Sequence, residues 1–158
     1  MIFPDFSDSP RTNTTLRINA AGILIHKDTL LLECRSDCGQ WGLIGGRIEV
    51  GEDPLEAFIR EAYEETALSL DPQNVSLFNV YGDPKDFRIV DYPDASVHII
   101  DIVYVCRISS VSNLSLSSES LEIRGFLPGE LDSINLIPPA HRPICDFIEM
   151  NGDRLVND

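Results

Sequence analysis

Apolar residues along this chain recur with two spacings. Residues 20–26 and 29–34 form short, nearly continuous apolar runs separated by Lys27 and Asp28, which predicts a β-hairpin. Further strand-like runs occupy residues 75–81, 97–107 and 121–126. Beyond residue 53 the spacing changes to the helical one: at roughly 100° per residue, Leu55, Phe58, Ile59, Ala62 and Thr66 gather on one stripe able to face a core. A second helix is predicted over residues 142–150. Polar connections lie between these elements: a glycine-rich turn after residue 41, a long loop over residues 82–96, and the serine-rich ISSVSNLSLSSES of residues 108–120, flanked by strand-like sequence. Strands interleaved with two helices predict an α/β or α+β sandwich. The 158 residues suit a single domain, with residues 1–13 as an N-terminal arm.

The first helix has unusually complete start signals. Asp53 can accept from free backbone amides, Pro54 suits the first helical position, and Glu56 sits three residues after the cap. On the same helix Glu61, Glu64 and Glu65 cover an arc of roughly 100° beside the apolar stripe. Like charges at i,i+3 and i,i+4 cost about 0.2 to 0.5 kcal/mol per pair in a helix. A solvated acidic face, with Arg60 pairing to Glu56 or Glu64, is the ordinary explanation for such a cluster. The preceding WGLIGGRIEVGE argues for another, because Gly42, Gly45, Gly46 and Gly51 permit backbone geometry closed to other residues. Clustered carboxylates completed by a backbone carbonyl and waters are the oxygen ligands that a hard divalent cation prefers.

Composition narrows the chemistry further. A formal charge of −14 argues against a protein that grips nucleic acid by its phosphates, but not against a nucleotide held through a cation. The N-terminal MIFPDFSDSPR is not a secretory signal, and apolar runs such as AAGILI are far below the roughly 20 residues of a membrane span. A soluble cytoplasmic protein is therefore expected, with no membrane partner. Cys34, Cys38, Cys106 and Cys145 contain no C-x-x-C pair and His26, His98 and His141 are scattered, which predicts plain thiols in a reducing compartment.

The stretch GRIEVGEDPLEAFIREAYEETAL resembles the Nudix box, whose defined positions here are Gly46, Glu52, Arg60, Glu61, Ala62, Glu64, Glu65, Ala67 and Leu68. Two positions depart from the usual pattern: Ala67 stands where the family has glycine, and Ile44 where proline is common. An alanine fits there if the helix runs on or the turn avoids a left-handed residue. Outside the box, Leu31, Leu32 and Arg35 before WGLIGG and the later SSESLEIRGFLPGEL are similar to the family's flanking elements.

The resemblance implies a Nudix-type α/β/α sandwich with a mixed central sheet. It also implies hydrolysis of a pyrophosphate bond in a nucleoside diphosphate linked to another moiety. Carried onto this chain, Glu61, Glu64 and Glu65, with the Gly45 carbonyl, would hold Mg²⁺ or Mn²⁺. Arg60 would orient Glu61 or Glu64, and Glu52 with Gly46 would support the loop. The general base would be Glu61 or Glu119, with Glu122 and Asp101 as weaker candidates. Arg35 and Arg47 are candidates for phosphate contact, while Trp41 reads as a packing residue. Phe87 and Tyr92 lie in the long loop, whose length suits a cover for the site. An ADP-ribose-like compound or nucleotide sugar is the favoured small-molecule substrate, although Pro84 only approximates the proline position of many ADP-ribose enzymes. Alternatives are a house-cleaning nucleoside triphosphate pyrophosphohydrolase or a non-catalytic nucleotide sensor. A sensor usually loses box carboxylates, and this chain keeps them all. A homodimer is common for such a fold.

Overall fold

The computed structural model describes residues 13–92 and 95–155; apart from Asn13, the expected N-terminal arm lies outside them. Strand β1 (Thr14–His26) runs through the centre of a mixed sheet, parallel to β7 (Ala95–Arg107) over twelve register positions from Thr14↔Ser96 to Ile25↔Arg107. The other edge of β1 is shared. Its C-terminal end pairs with β2 (Thr29–Arg35), and its middle pairs with β4 (Ile44–Arg47), both antiparallel. A two-residue β3 (Trp41–Gly42) and β8 (Ser120–Phe126) flank β2, while β5 (Val75–Tyr81) and β6 (Ile89–Tyr92) share the far edge of β7.

Helices cover both faces. Helix α1 (Pro54–Thr66) buries Ala57, Phe58 and Ala62 against Ala20, Leu24, Leu31 and Ile44. Helix α2 (Pro138–Leu155) buries Ala140, Ile144 and Phe147 on the opposite face, against Ile23, Ile25, Leu30 and Leu32. Residues 20–25 of β1 are buried throughout because successive side chains serve two cores, which is why the run lacks polar alternation. Phe58 stacks on Tyr104 with centroids 5.5 Å apart and rings 8° from parallel. Beneath it lies Gly22, where an added Cβ would stand 2.0 Å from the Phe58 ring. Full burial of such a side chain contributes about 1.5 to 3 kcal/mol.

Four local expectations change. The glycine-rich segment is the two strands β3 and β4 rather than a simple turn, because the β1 edge vacated by β2 is free to pair. The loop over residues 82–96 contains β6, formed because β7 begins at Ala95 and extends the pairing edge, with Ile89↔His98 in register. Helix α2 starts four residues earlier than Arg142, on Pro138 and Pro139, and Pro143 lies inside it. Ala67 does adopt the left-handed conformation, φ 59° and ψ 14°, and its N–H bonds Tyr63 O as the helix ends. The alanine thus takes the glycine's role with the strain of a Cβ. Among the described residues no helix is long and apolar enough to cross a membrane.

Candidate active site

The start of α1 is built as its sequence demands. Asp53 Oδ1 accepts from the amides of Leu55 at 2.9 Å and Glu56 at 3.4 Å. One turn further on, Arg60 joins three segments. Its Nε and Nη2 donate to the two Glu52 carboxylate oxygens at 2.7 and 2.9 Å, Nη2 also reaches Arg47 O at 3.1 Å, and Nη1 donates to Glu61 Oε1 at 2.7 Å. Glu64 Oε2 stands 3.3 Å from the same Nη1. Glu52 in turn accepts from the Glu49 amide at 3.0 Å, so one guanidinium ties the loop, the end of β4 and the helix into a unit. Arg60 thus orients Glu61 and touches Glu64, and it makes no bond to Glu56.

The three helix glutamates occupy different environments. Glu64 is exposed, with 56% of its side-chain surface accessible. Glu61 leans against β4, and a Cβ on Gly46 would come within 2.5 Å of its carboxyl carbon, so the absence of a side chain there makes the carboxylate's seat. Glu65 is 7% exposed and accepts from the Gly45 amide at 2.8 Å. Burial, and secondarily the nearby Glu33, push its carboxyl up to about 8. Gly45 itself has φ +144°, and a Cβ there would meet Ala20 O at 2.3 Å. Among the described residues no three acid, histidine or cysteine side chains stand ready around one point; Glu61 is turned onto Arg60 and Glu65 onto Gly45.

Apart from Glu52 and the weaker base candidates Glu122 and Asp101, the predicted site residues border one cleft of about 470 Å³: Glu61, Glu64, Glu65 and Arg60 from α1, Gly45, Gly46 and Arg47 from β4, Arg35 from β2, and Glu119. Glu52 stands behind it, through Arg60. Glu119 is exposed, but its backbone is anchored: its amide donates to Ser117 Oγ at 3.1 Å and its carbonyl accepts from Ser36 N at 2.8 Å. Arg35 is held in a two-point pair with Asp37, Nε to Oδ1 at 3.0 Å and Nη2 to Oδ2 at 2.8 Å, while Arg47 makes no ion pair with a described residue. Trp41 packs edge-on against Phe126, as a packing residue would. Glu122 lies on the β8 surface near Arg124, and Phe87 is exposed on a left-handed residue.

Several residues at the site escaped the sequence reading. Arg17 and Asn19 of β1 border the cleft, and their signal was the alternation in LRIN. Glu33, buried in β2, accepts from Ser120 Oγ, and burial raises its pKa. Its signal was a single acid inside the apolar TLLLECR. Asp101, by contrast, was a weaker general-base candidate by sequence; its carboxylate is instead taken up in a buried pair with Arg88, and burial raises its pKa against the opposing Arg88 charge. A second cavity, of about 430 Å³, shares Arg17, Asn19, Arg35 and Gly45 with the cleft; its lining adds the apolar Leu43, Ile137, Pro138, Pro139 and Ala140 as well as the polar Asp37, Gln40 and Asp101.

A family model described as NUDIX domain matches residues 15–146. A Bacillus subtilis (strain 168) protein provisionally named an 8-oxo-dGTP diphosphatase is 30% identical over 138 residues, covering 85% of this chain and 80% of its own length. A MutT-like protein of Streptomyces ambofaciens is 27% identical over 115 residues, 72% of this chain and 66% of its own length. Among solved structures, a bifunctional NMN adenylyltransferase/ADP ribose pyrophosphatase from Francisella tularensis, complexed with AMP and a manganese ion, shares the fold with a TM-score of 0.70 at 17% identity. That likeness covers 89% of this chain and 43% of the Francisella chain. The match across most of the chain, with the box carboxylates in one cleft, shows that this protein belongs to the Nudix hydrolase family.

Proposed function

We propose that this protein hydrolyses a pyrophosphate bond in a nucleoside diphosphate joined to another moiety, an ADP-ribose-like compound or nucleotide sugar, and releases a mononucleotide. The observation that carries this reading is the junction of the two cavities: a cleft lined by carboxylates shares Arg17, Asn19 and Arg35 with a cavity that carries the apolar Leu43, Ile137, Pro138, Pro139 and Ala140. A nucleoside fits against those apolar residues while its phosphates lie toward the glutamates.

The donor set suits Mg²⁺ or Mn²⁺, because Glu61, Glu64, Glu65 and the Gly45 carbonyl offer only oxygen. When bound, such an ion offsets phosphate charge and activates water. Arg60 holds Glu61 in place, and Arg47 and Arg35 supply positive charge to substrate phosphates. Glu119 or Glu61 accepts the proton of the attacking water; Glu119 fits that task by being exposed on an anchored turn across the cleft. The expected location, among soluble nucleotides, is the cytoplasm.

A second reading, nucleoside triphosphate pyrophosphohydrolase, is favoured by the name of the Bacillus relative. Assaying purified protein with Mg²⁺ or Mn²⁺ against nucleotide sugars, ADP-ribose, dinucleotides and triphosphates distinguishes the two. Release of a mononucleotide from a diphosphate-linked substrate supports the first; turnover of triphosphates alone supports the second. No turnover across the panel, at varied pH and metal, would favour the non-catalytic nucleotide sensor. Glu64→Gln should lower any activity by about 100-fold or more, the scale expected for losing transition-state charge stabilisation.

A further inference from the structure

Asn19 stands where the two cavities meet, and its amide is oriented from behind. In the parallel register of β1 and β7 it lies directly beside Asp101, and its Nδ2 donates to Asp101 Oδ1 at 3.1 Å. The other carboxylate oxygen, Oδ2, accepts from Nη1 of Arg88, whose side chain is fully buried, with its guanidinium carbon 5.5 Å from the centre of the Tyr81 ring. Arg88 Nε and Nη2 are buried without partners, so Asp101 is the only described side chain that meets this charge with a hydrogen bond. A carboxylate facing a guanidinium can only accept. The Asn19 atom beside it must therefore be the amino nitrogen, which leaves the carbonyl Oδ1 as the amide's remaining acceptor. Among the described residues nothing donates to Oδ1.

The position identifies the group that Oδ1 meets. In a nucleotide the sugar lies between base and phosphate, and Asn19 lines both the acidic cleft and the cavity that carries the apolar residues. A sugar there offers hydroxyl donors. We propose that Asn19 is a specificity residue: its Oδ1, set by the Arg88–Asp101 pair, accepts a hydrogen bond from a ribose hydroxyl, so that the chain prefers ribonucleotides to deoxyribonucleotides. This inference rests on the nucleotide reading of the site. Asp101 and Arg88 act through Asn19 as positioning residues.

The test is calorimetric binding, with Mg²⁺ present, of AMP and GMP and of their 2′-deoxy and 3′-deoxy counterparts. The wild-type chain should bind the ribo form about tenfold more tightly than one of the two deoxy forms, the size of one hydrogen bond to a desolvated acceptor. The 2′ and 3′ arms show which hydroxyl is read. In Asn19→Leu and Asn19→Ser the ratio should fall to about one while the deoxy form binds as before. Asp101→Asn keeps the shape but reverses the relay. Arg88 then donates to the new amide oxygen, the new amide nitrogen donates to Asn19, and Asn19 turns its own amino group toward the sugar, so the preference should vanish there too. Circular dichroism identifies any variant that fails to fold, and the other two Asn19 and Asp101 variants then decide the outcome. Equal wild-type binding of ribo and deoxy forms, undiminished preference in folded variants, or no nucleotide binding would overturn the proposal. Hydrolysis without sugar preference would overturn this inference alone; ribose-selective binding without hydrolysis would instead overturn the enzymatic reading.

Discussion

Arg60 grips both carboxylate oxygens of Glu52 with hydrogen bonds 2.7 and 2.9 Å long, across eight residues of chain. This pair holds the Glu52 carboxyl down at about 2, with the Glu49 amide as a second cause. The sign follows from the depressed value: the stabilisation is present above the ordinary carboxylate range and is lost as pH falls through about 2. Wild type minus Glu52→Gln stability, measured by denaturant unfolding at a series of pH values, should therefore shrink below pH about 4.5 and approach zero near pH 2. The same substitution should weaken metal-induced thermal stabilisation at neutral pH, because Glu61 loses the fixed Arg60 that orients it.

Gly46→Ala tests the seat of Glu61. The new methyl would stand 2.5 Å from the Glu61 carboxyl carbon, so the carboxylate must move. Misplacing a reacting group by about 1 Å can cost about 100-fold in rate. Activity should fall by that order, while the melting temperature changes by only a few degrees, since the clash is with the end of a side chain near a cleft.

Ala67→Gly should stabilise the protein by about 0.5 to 1 kcal/mol, because only the alanine has a Cβ penalty at φ 59°. Urea unfolding with an unchanged m-value is the measurement. Activity should be unchanged, since the residue lies beyond the last box carboxylate.

Glu65→Gln separates stability from function. Glu65 is 7% exposed beside the buried Glu33, and a glutamine could still accept from the Gly45 amide. In metal-free buffer containing EDTA at pH about 8.5, above the range where this carboxyl holds its proton, the variant should melt several degrees higher than wild type. Added Mn²⁺ should raise the wild-type melting temperature and leave that of the variant nearly unmoved.

Much of the site was legible because it is local. Asp53, Pro54 and the helix period place Glu61, Glu64 and Glu65 near one another whatever the rest of the chain does, since a helix turn fixes its own neighbours. The glycines before it were equally readable as places where backbone and carboxylate approach, and the strand runs were legible wherever both faces or one face are buried. Less was legible where two elements meet. Of the predicted stripe Phe58, Ala62 and Thr66 are fully buried but Leu55 and Ile59 only half-buried, and Ala57 and Glu65 also go inside, because α1 rotates to lay Phe58 over Gly22 and to bring Glu65 to the Gly45 amide. β6 exists only because β7 offers it an edge.

Local order along the chain therefore determined the helix, its cap, its acid cluster and the apolar strand runs, because these depend on contacts within a few residues. Tertiary structure decided which acid is buried, that Glu119 shares the cleft, and that Asn19, Asp101 and Arg88 form one relay. Those outcomes depend on strand register and helix rotation, which set distances between residues as far apart as 82 positions and which no short segment can specify alone.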